Sequence, residues 1–304
     1  MTSEEENEVR SLLSRIPTLA DYRGEVERLG GLTNRVYALG DLVLRIPGVG
    51  TEEYINRANE LVMAREAAQA GVSPDLAYGD AASGLMVTRR IKHATTLSSE
   101  GFKTIEGSVT RAGEALRKLH NSRAKFPTRF ELFTMIDDYL KIIATKDVEL
   151  PSGYHDVVKE ADAVRNALSQ HPASLAPCHC DPLCENFIDT GLRMWIVDWE
   201  YGGMNDPMWD LGDLSVEGAF TPAQDDELLC AYFGGAPSAQ NHGRMVIYKA
   251  MCDLLWTLWG LIQHANKNPA DDFAAYALNR FNRCKALMAT RQFSRHLIAI
   301  TRQK

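Results

Sequence analysis

The chain has no run of eighteen consecutive apolar residues, no basic-then-apolar opening and no cysteine framework. The first absence removes a membrane-spanning helix as an organising element. The opening Met1-Thr2-Ser3-Glu4-Glu5-Glu6 is acidic where a secretory leader is basic, so a soluble, cytoplasmic protein without stable membrane association is expected. Six cysteines, Cys178, Cys180, Cys184, Cys230, Cys252 and Cys284, lack the spacing of a disulfide scaffold and fit reduced thiols. Positive charge is short as well. Against 40 Asp and Glu stand 33 Lys and Arg, and the formal net charge of −7 argues against nucleic acid as a partner while leaving room for a cationic substrate. No internal repeat or low-complexity segment interrupts the 304 residues, whose 45% apolar content suffices for one large or two modest cores.

What is present is concentrated between His179 and Asp213. There the chain reads H-C-D-P-L-C-E-N-F from His179, I-V-D-W-E-Y-G-G from Ile196, and D-P-M-W-D-L-G-D from Asp206. Residues 186–188 and 194–197 read as two short strands around an Asp189-Thr190-Gly191 turn, so Asn186 and Asp198 stand at the two ends of one hairpin. Phosphoryl transfer needs Mg²⁺ held by oxygen ligands and one further carboxylate against the attacking hydroxyl. This spacing makes Asp181 the candidate base and Asn186 and Asp198 the candidate metal ligands. Any one of these residues alone would read as a turn former or a cap. Cys178, His179, Cys180 and Cys184 also invite a zinc reading, but structural zinc sites combine close ligand pairs that lie far apart in sequence, and the remaining cysteines form none.

Upstream, residues 3–15 form an amphipathic helix with an acidic first turn. Strands are expected over 26–29, 35–39, 42–46, 75–78 and 85–88, and a helix over 53–70 ends at Gly71. The Gly30-Gly31-Leu32-Thr33-Asn34 stretch is either a simple hairpin turn or a glycine cover over phosphates, with Arg45 as a cation on the neighbouring strand. Residues 88–91 connect this sheet to a helical remainder, with helices over 109–119, 130–144, 154–168 and 245–266. In the last of these, Met251, Leu254, Leu255, Leu258 and Ile262 form one stripe, and Trp256, Trp259 and Gln263 lie on another face. Either that helix is buried all round, or the indoles wall a site.

His179, Asp181 and Asn186 keep the H-x-D-x-x-x-x-N spacing of eukaryotic-type kinases, and Asp198 ends a strand where those enzymes hold a metal. Together with Asp181-Pro182 and Asp198-Trp199-Glu200-Tyr201, they make the chain resemble the choline/ethanolamine kinase family within the aminoglycoside phosphotransferase and protein-kinase-like superfamily. The resemblance runs from Gly30 to about Phe281. It implies an α+β, two-lobed fold: residues 1–91 as a small antiparallel sheet plus helix for nucleotide, and residues 92–304 as a larger, mostly helical catalytic and acceptor lobe.

It also implies ATP and Mg²⁺ as cofactors. Gly30, Gly31, Thr33, Asn34 and Arg45 would hold the triphosphate, with arginine at Arg45 as in choline kinases. Glu60, preferred over Glu66, would pair with Arg45, and Arg90 and Ile91 would meet adenine. Glu200, Tyr201, Glu217, Trp256, Trp259 and Tyr276 would position a small cationic alcohol, choline in the first instance. A quaternary ammonium has no N–H to donate and relies on ring faces and carboxylates. Only about eleven residues separate Asp198 from Asp210, too few for a polypeptide-binding segment. Residues 218–222 depart from the aromatic-rich run of eukaryotic choline kinases, and the last residues, Ile300 to Lys304, are not acidic as an aminoglycoside pocket would favour. Ethanolamine, thiamine or an aminoglycoside as acceptor, and a catalytically silent nucleotide-binding regulator, stand as alternatives.

Overall fold

Thr2 begins the first helix, α1 (Ser3–Leu13), by accepting from the Glu5 amide while the Glu5 side chain reaches back to the Thr2 amide. The structure, a computed structural model, describes residues 1–30, 34–48, 51 and 55–301. Strands β1 (Glu27–Gly30), β2 (Arg35–Leu39), β3 (Leu42–Ile46), β4 (Leu76–Gly79) and β5 (Met86–Arg89) make an antiparallel sheet in the order β1-β2-β3-β5-β4. Val9 and Leu13 of α1 pack with Ile16, Tyr37, Leu39, Leu44 and Val87 in a small core of their own. α2 (Arg57–Gln69) behaves differently: its Met63, Ala64 and Ala67 join the core of the helical lobe.

The helix expected over 53–70 begins at Arg57, because Asn56 stays extended and its side chain accepts from the Asn59 amide. Residues 52–54 lie outside the described residues. Gly71, at φ +68°, closes the helix as anticipated.

The rest of the chain is mostly helical. It runs through β6 (Thr95–Thr96), α3 (Ser99–Thr104), α4 (Ser108–His120), α5 (Leu132–Ile143), α6 (Tyr154–Glu160) and α7 (Asp162–Gln170). The single helix expected over 154–168 is therefore two, divided at Ala161. β7 (Ala176–Cys178) pairs with β10 (Gly203–Asn205), and between them β8 (Phe187–Asp189) and β9 (Met194–Ile196) form the anticipated hairpin, with β6 beside β8. Then follow α8 (Pro207–Glu217), α9 (Pro222–Phe233), α10 (Ala239–Ala265), α11 (Phe273–Met288) and α12 (Arg291–Thr301).

α10 starts six residues before the expected 245, where Ser238 caps the Asn241 amide. Its 27 residues are long and apolar enough to cross a membrane, yet 83% of the most apolar window is buried inside the lobe. Burial covers most of this helix: Trp256, at 4% exposed, is nearly as enclosed as Met251, Leu254 and Leu255, while Trp259 is half-buried. α8 crosses it closely at Gly212, where a Cβ would lie 2.7 Å from the Met245 carbonyl oxygen. That crossing sets the acidic face of α8 against α10.

Candidate active site

The loop after β7 is held from behind. Asp210, in the first turn of α8, accepts the backbone amides of His179 (2.7 Å) and Cys180 (2.8 Å) and meets His120 Nε2 at 2.9 Å. Cys180 sits at φ +66°, a left-handed conformation costly for a side-chain-bearing residue, and these bonds hold it there. His179 Nε2 lies 2.9 Å from the Val197 carbonyl, and burial lowers the imidazole's pKa, so the ring is a neutral prop that donates an N–H. His179 and the three loop cysteines do not converge on a point; among the described residues the group here within metal-binding reach is His120, Cys178 and Asp210, whose Asp210 oxygens are already engaged.

Asp181 follows, its carbonyl accepting from the Leu183 amide (2.8 Å) and from Asn186 Nδ2 (3.0 Å). Burial, and after it the charges of Asp213 and Glu217, push its carboxyl well above the usual carboxylate range. Asn186 uses its amide nitrogen on Asp181, which leaves its oxygen to accept. The β8–β9 hairpin sets Asn186 opposite Val197 (amide to carbonyl 3.0 Å) and so beside Asp198. Asp198 has φ +68°, and its buried Oδ1 receives no well-formed hydrogen bond, although Arg45 lies 3.2 Å away. A carboxylate oxygen that accepts no hydrogen bond, one residue beyond the backbone bond to Asn186, fits a hard divalent cation.

Across the cleft, Arg45 of β3 is ion-paired to Glu60, to Glu200 (3.0 Å) and to Asp198 (3.2 Å). Of the two glutamates weighed as its partner, Glu60 is the one; Glu66 accepts the Lys125 amide instead. Arg57, which sequence reasoning missed, joins Glu60 at 2.8 Å and Glu200 at 3.3 Å. Its signal was the three-residue helical spacing to Glu60. Asn34 Nδ2 reaches Asp198 (3.2 Å) and Glu200 (3.3 Å). Glu200, expected to contact the acceptor, is thus drawn to the sheet side by two guanidiniums and an amide. Burial and the Asp198 charge still push its carboxyl up to about 7 against the pull of Arg45.

Gly30 ends β1 at φ +143°, a conformation suited to glycine, while Gly31 and Thr33 lie outside the described residues. The Arg90 amide donates to the Asp41 carbonyl (2.9 Å) and its guanidinium reaches Glu27 (3.2 Å). Ile91, the next connector position, is part-buried.

The acceptor end is built by α8, α10 and α11. Trp256 lies edge-on to Tyr201 (5.2 Å) and its indole N–H donates to Asp213 (3.3 Å). Trp259 instead packs with Phe273 (5.5 Å) and Tyr276 (5.8 Å), so the two indoles belong to separate aromatic groups rather than one shared face. Tyr276 is covered by the Arg280 guanidinium, 4.5 Å from its ring centre. Arg280 also pairs with Glu217 and with Asp253 (3.2 Å), and Arg283 pairs with Asp253 at 2.5 Å. Asp213 and Arg280 were missed. Each lies four residues from a predicted site residue, Glu217 and Tyr276, on the same helix face.

A carboxylate on this loop, facing a cation-bearing sheet across a cleft between two lobes, is the arrangement of kinase-like phosphotransferases that act on an alcohol. Residues 25–248 match the phosphotransferase enzyme family, and the chain belongs to that family and to its choline/ethanolamine kinase branch. It is 67% identical to a choline/ethanolamine kinase family protein from Mesorhizobium loti, over 97% of this chain and 98% of that one, with a TM-score of 0.91. The choline kinase LicA from Streptococcus pneumoniae is 27% identical over 94% of this chain and 99% of its own, with a TM-score of 0.78. A LicA structure in complex with AMP is also 27% identical, covering 92% and 97%, with a TM-score of 0.75.

Proposed function

We propose that the chain transfers the γ-phosphoryl group of ATP, with Mg²⁺, to the hydroxyl of choline, giving phosphocholine and ADP. The observation that carries this reading is Asp181, a half-buried carboxyl on the loop after β7, raised in pKa by burial and then by the charges of Asp213 and Glu217 on the acceptor side and of Glu200 and Asp198 on the sheet side. In this reading the choline oxygen attacks the γ-phosphorus, the bond to the bridging oxygen breaks, and the hydroxyl proton passes to Asp181. The raised pKa of Asp181 makes it a better proton acceptor once ionised. Arg45 and Arg57 grip the triphosphate, exchanging Glu200 for phosphate oxygens. Asn186 and Asp198 would hold Mg²⁺, which supplies charge neutralisation for the transferring group. Support for the nucleotide comes from the AMP-bound relative, and for the acceptor from the choline kinase relative.

A second reading, ethanolamine, is favoured by one observation. Arg280 occupies a face of Tyr276 that a quaternary ammonium would use, and carboxylates nearby can accept N–H bonds from a primary ammonium. The test is an ADP-release assay with ATP and Mg²⁺ and choline, ethanolamine, thiamine or kanamycin as acceptor. Choline is expected to give the highest kcat/KM; a higher value for ethanolamine selects the second reading, and turnover with kanamycin alone or with none of them sinks both.

A further inference from the structure

Arg280 of α11 is 3% exposed and joins three helices at one point. Its two terminal nitrogens diverge: one donates to Glu217, the last residue of α8, and the other to Asp253 of α10 at 3.2 Å. Its flat face lies over the ring of Tyr276, one turn earlier on α11, 4.5 Å from the ring centre. A planar guanidinium can give edge donors to two carboxylates and a face to a ring together, where an ammonium is a point charge. Arg283 also pairs with Asp253, at 2.5 Å, so that carboxylate has a cation without Arg280. Neutralising Asp253 is therefore not what requires Arg280, and a buried guanidinium loses hydration that an apolar side chain in its place would not.

What sets Arg280 apart is the identity of its other two partners. Glu217 and Tyr276 are the carboxylate and the ring expected to meet the acceptor, and both are partly exposed while the guanidinium between them is buried. They come from separate helices, so nothing local in the chain fixes one against the other. The Tyr276 ring is also held at its edge by Gly260, where a Cβ would lie 2.7 Å from a ring carbon, and by Trp259 at 5.8 Å. We propose that Arg280 is a positioning residue of the acceptor pocket: anchored on Asp253, it fixes the Glu217 carboxylate against the Tyr276 ring and so sets the choice between quaternary and primary ammonium. The proposal rests on the small cationic acceptor read above. A quaternary ammonium has no N–H and depends on where the ring faces stand, whereas a primary ammonium bonds through N–H and can follow a carboxylate that moves. Loosening this contact therefore harms choline more than ethanolamine, whichever of the two the wild type prefers.

The test measures kcat/KM for choline and for ethanolamine, KM for ATP and the thermal midpoint, in the wild type, Arg280→Lys, Arg280→Gln and Arg283→Gln. Arg280→Lys keeps the charge without the plane and is expected to lower the choline-to-ethanolamine ratio about 2- to 30-fold, the range for one cation–ring contact, with KM for ATP unchanged. Arg280→Gln should lower it at least as far. Arg283→Gln takes a guanidinium from the same Asp253 but not from Glu217 or Tyr276, and its ratio should match the wild type. If the wild type accepts only one of the two alcohols, a rise in KM for that alcohol alone supports the proposal, and no rise or a parallel rise in KM for ATP overturns it. An unchanged ratio in folded Arg280→Lys, or an equal shift in Arg283→Gln, overturns the role of Arg280 and leaves the proposed function standing. Unfolding of both Arg280 variants makes the residue a structural brace and overturns it too. Turnover of neither alcohol by the wild type removes the function reading itself.

Discussion

Asp198 and Cys180 both carry side chains through left-handed backbone, at φ +68° and +66°, on the two segments that frame the cleft. Each such residue costs about 1–3 kcal/mol and persists where surrounding bonds over-determine it. Around Cys180 those bonds come from Asp210; around Asp198 they come from the β8–β9 hairpin and Asn34. Asp181, between them, is the residue whose removal should separate chemistry from binding. Asp181→Ala is expected to lower kcat by about a hundredfold to ten-thousandfold while nucleotide affinity, followed by fluorescence or calorimetry, changes little; parallel loss of both would make Asp181 structural. Glu200 offers a pH signature in the ligand-free protein. Its folded value of about 7 lies above the model-peptide 4.5, so the folded state holds the proton more tightly. The stability it contributes is full below about pH 4.5 and declines as pH rises towards about 7. Glu200→Gln should therefore gain on the wild type, in thermal midpoint, as pH is raised across that window; a constant difference between the two proteins would refute this.

The element that organises the site is α8. Asp206 caps it, accepting the Met208 amide (3.0 Å), and is anchored to α10 by Arg244 (2.7 Å) and Tyr248 (3.0 Å). From that fixed start, Asp210 props the catalytic loop, and Asp213 and Glu217 point to the acceptor end. The register of α8 against α10 depends on Gly212, because an added Cβ would meet the Met245 carbonyl at 2.7 Å and the Lys249 amide nitrogen at 3.1 Å. Backbone atoms cannot turn aside as a side chain does. Gly212→Ala is expected to cost about 1–3 kcal/mol in denaturant unfolding, the range for an overpacked core, and to raise acceptor KM more than ATP KM. Equal stability of variant and wild type would show that the crossing relaxes freely.

At the scale of the whole molecule, the two lobes are not separated where sheet gives way to helices. α2 belongs to the first ninety residues, but its buried face lies in the helical lobe's core, and its C-terminal turn is held from that lobe by Lys118 to the Gly71 carbonyl (2.8 Å) and by the Ile196 amide to the Val72 carbonyl (2.8 Å). Among the described residues, α1 packs in the small core on the sheet. Hydrogen exchange should therefore find α2 amides protected with α4 and α10, and α1 opening more readily. Matching protection of α1 and α2, with α4 slower than both, would mean the sheet lobe opens as one unit.

Much of this was legible before any coordinates. The offsets among His179, Asp181, Asn186 and Asp198 are local, since one loop and one hairpin bring them together, and the periodic helices and the β2–β3 turn followed from residue order alone. Element ends were less legible: Asn56 and Ser238 start helices by capping bonds that compete with apolar periodicity. What tertiary structure alone decided was charge pairing across long separations. Nothing in the order of residues tells Glu200 to face Arg45 and Arg57, or assigns Arg280 to Glu217. Those outcomes depend on which buried carboxylate lies nearest which guanidinium after α8, α10 and α11 have packed, and electrostatic energy falls off with distance in space, not along the chain.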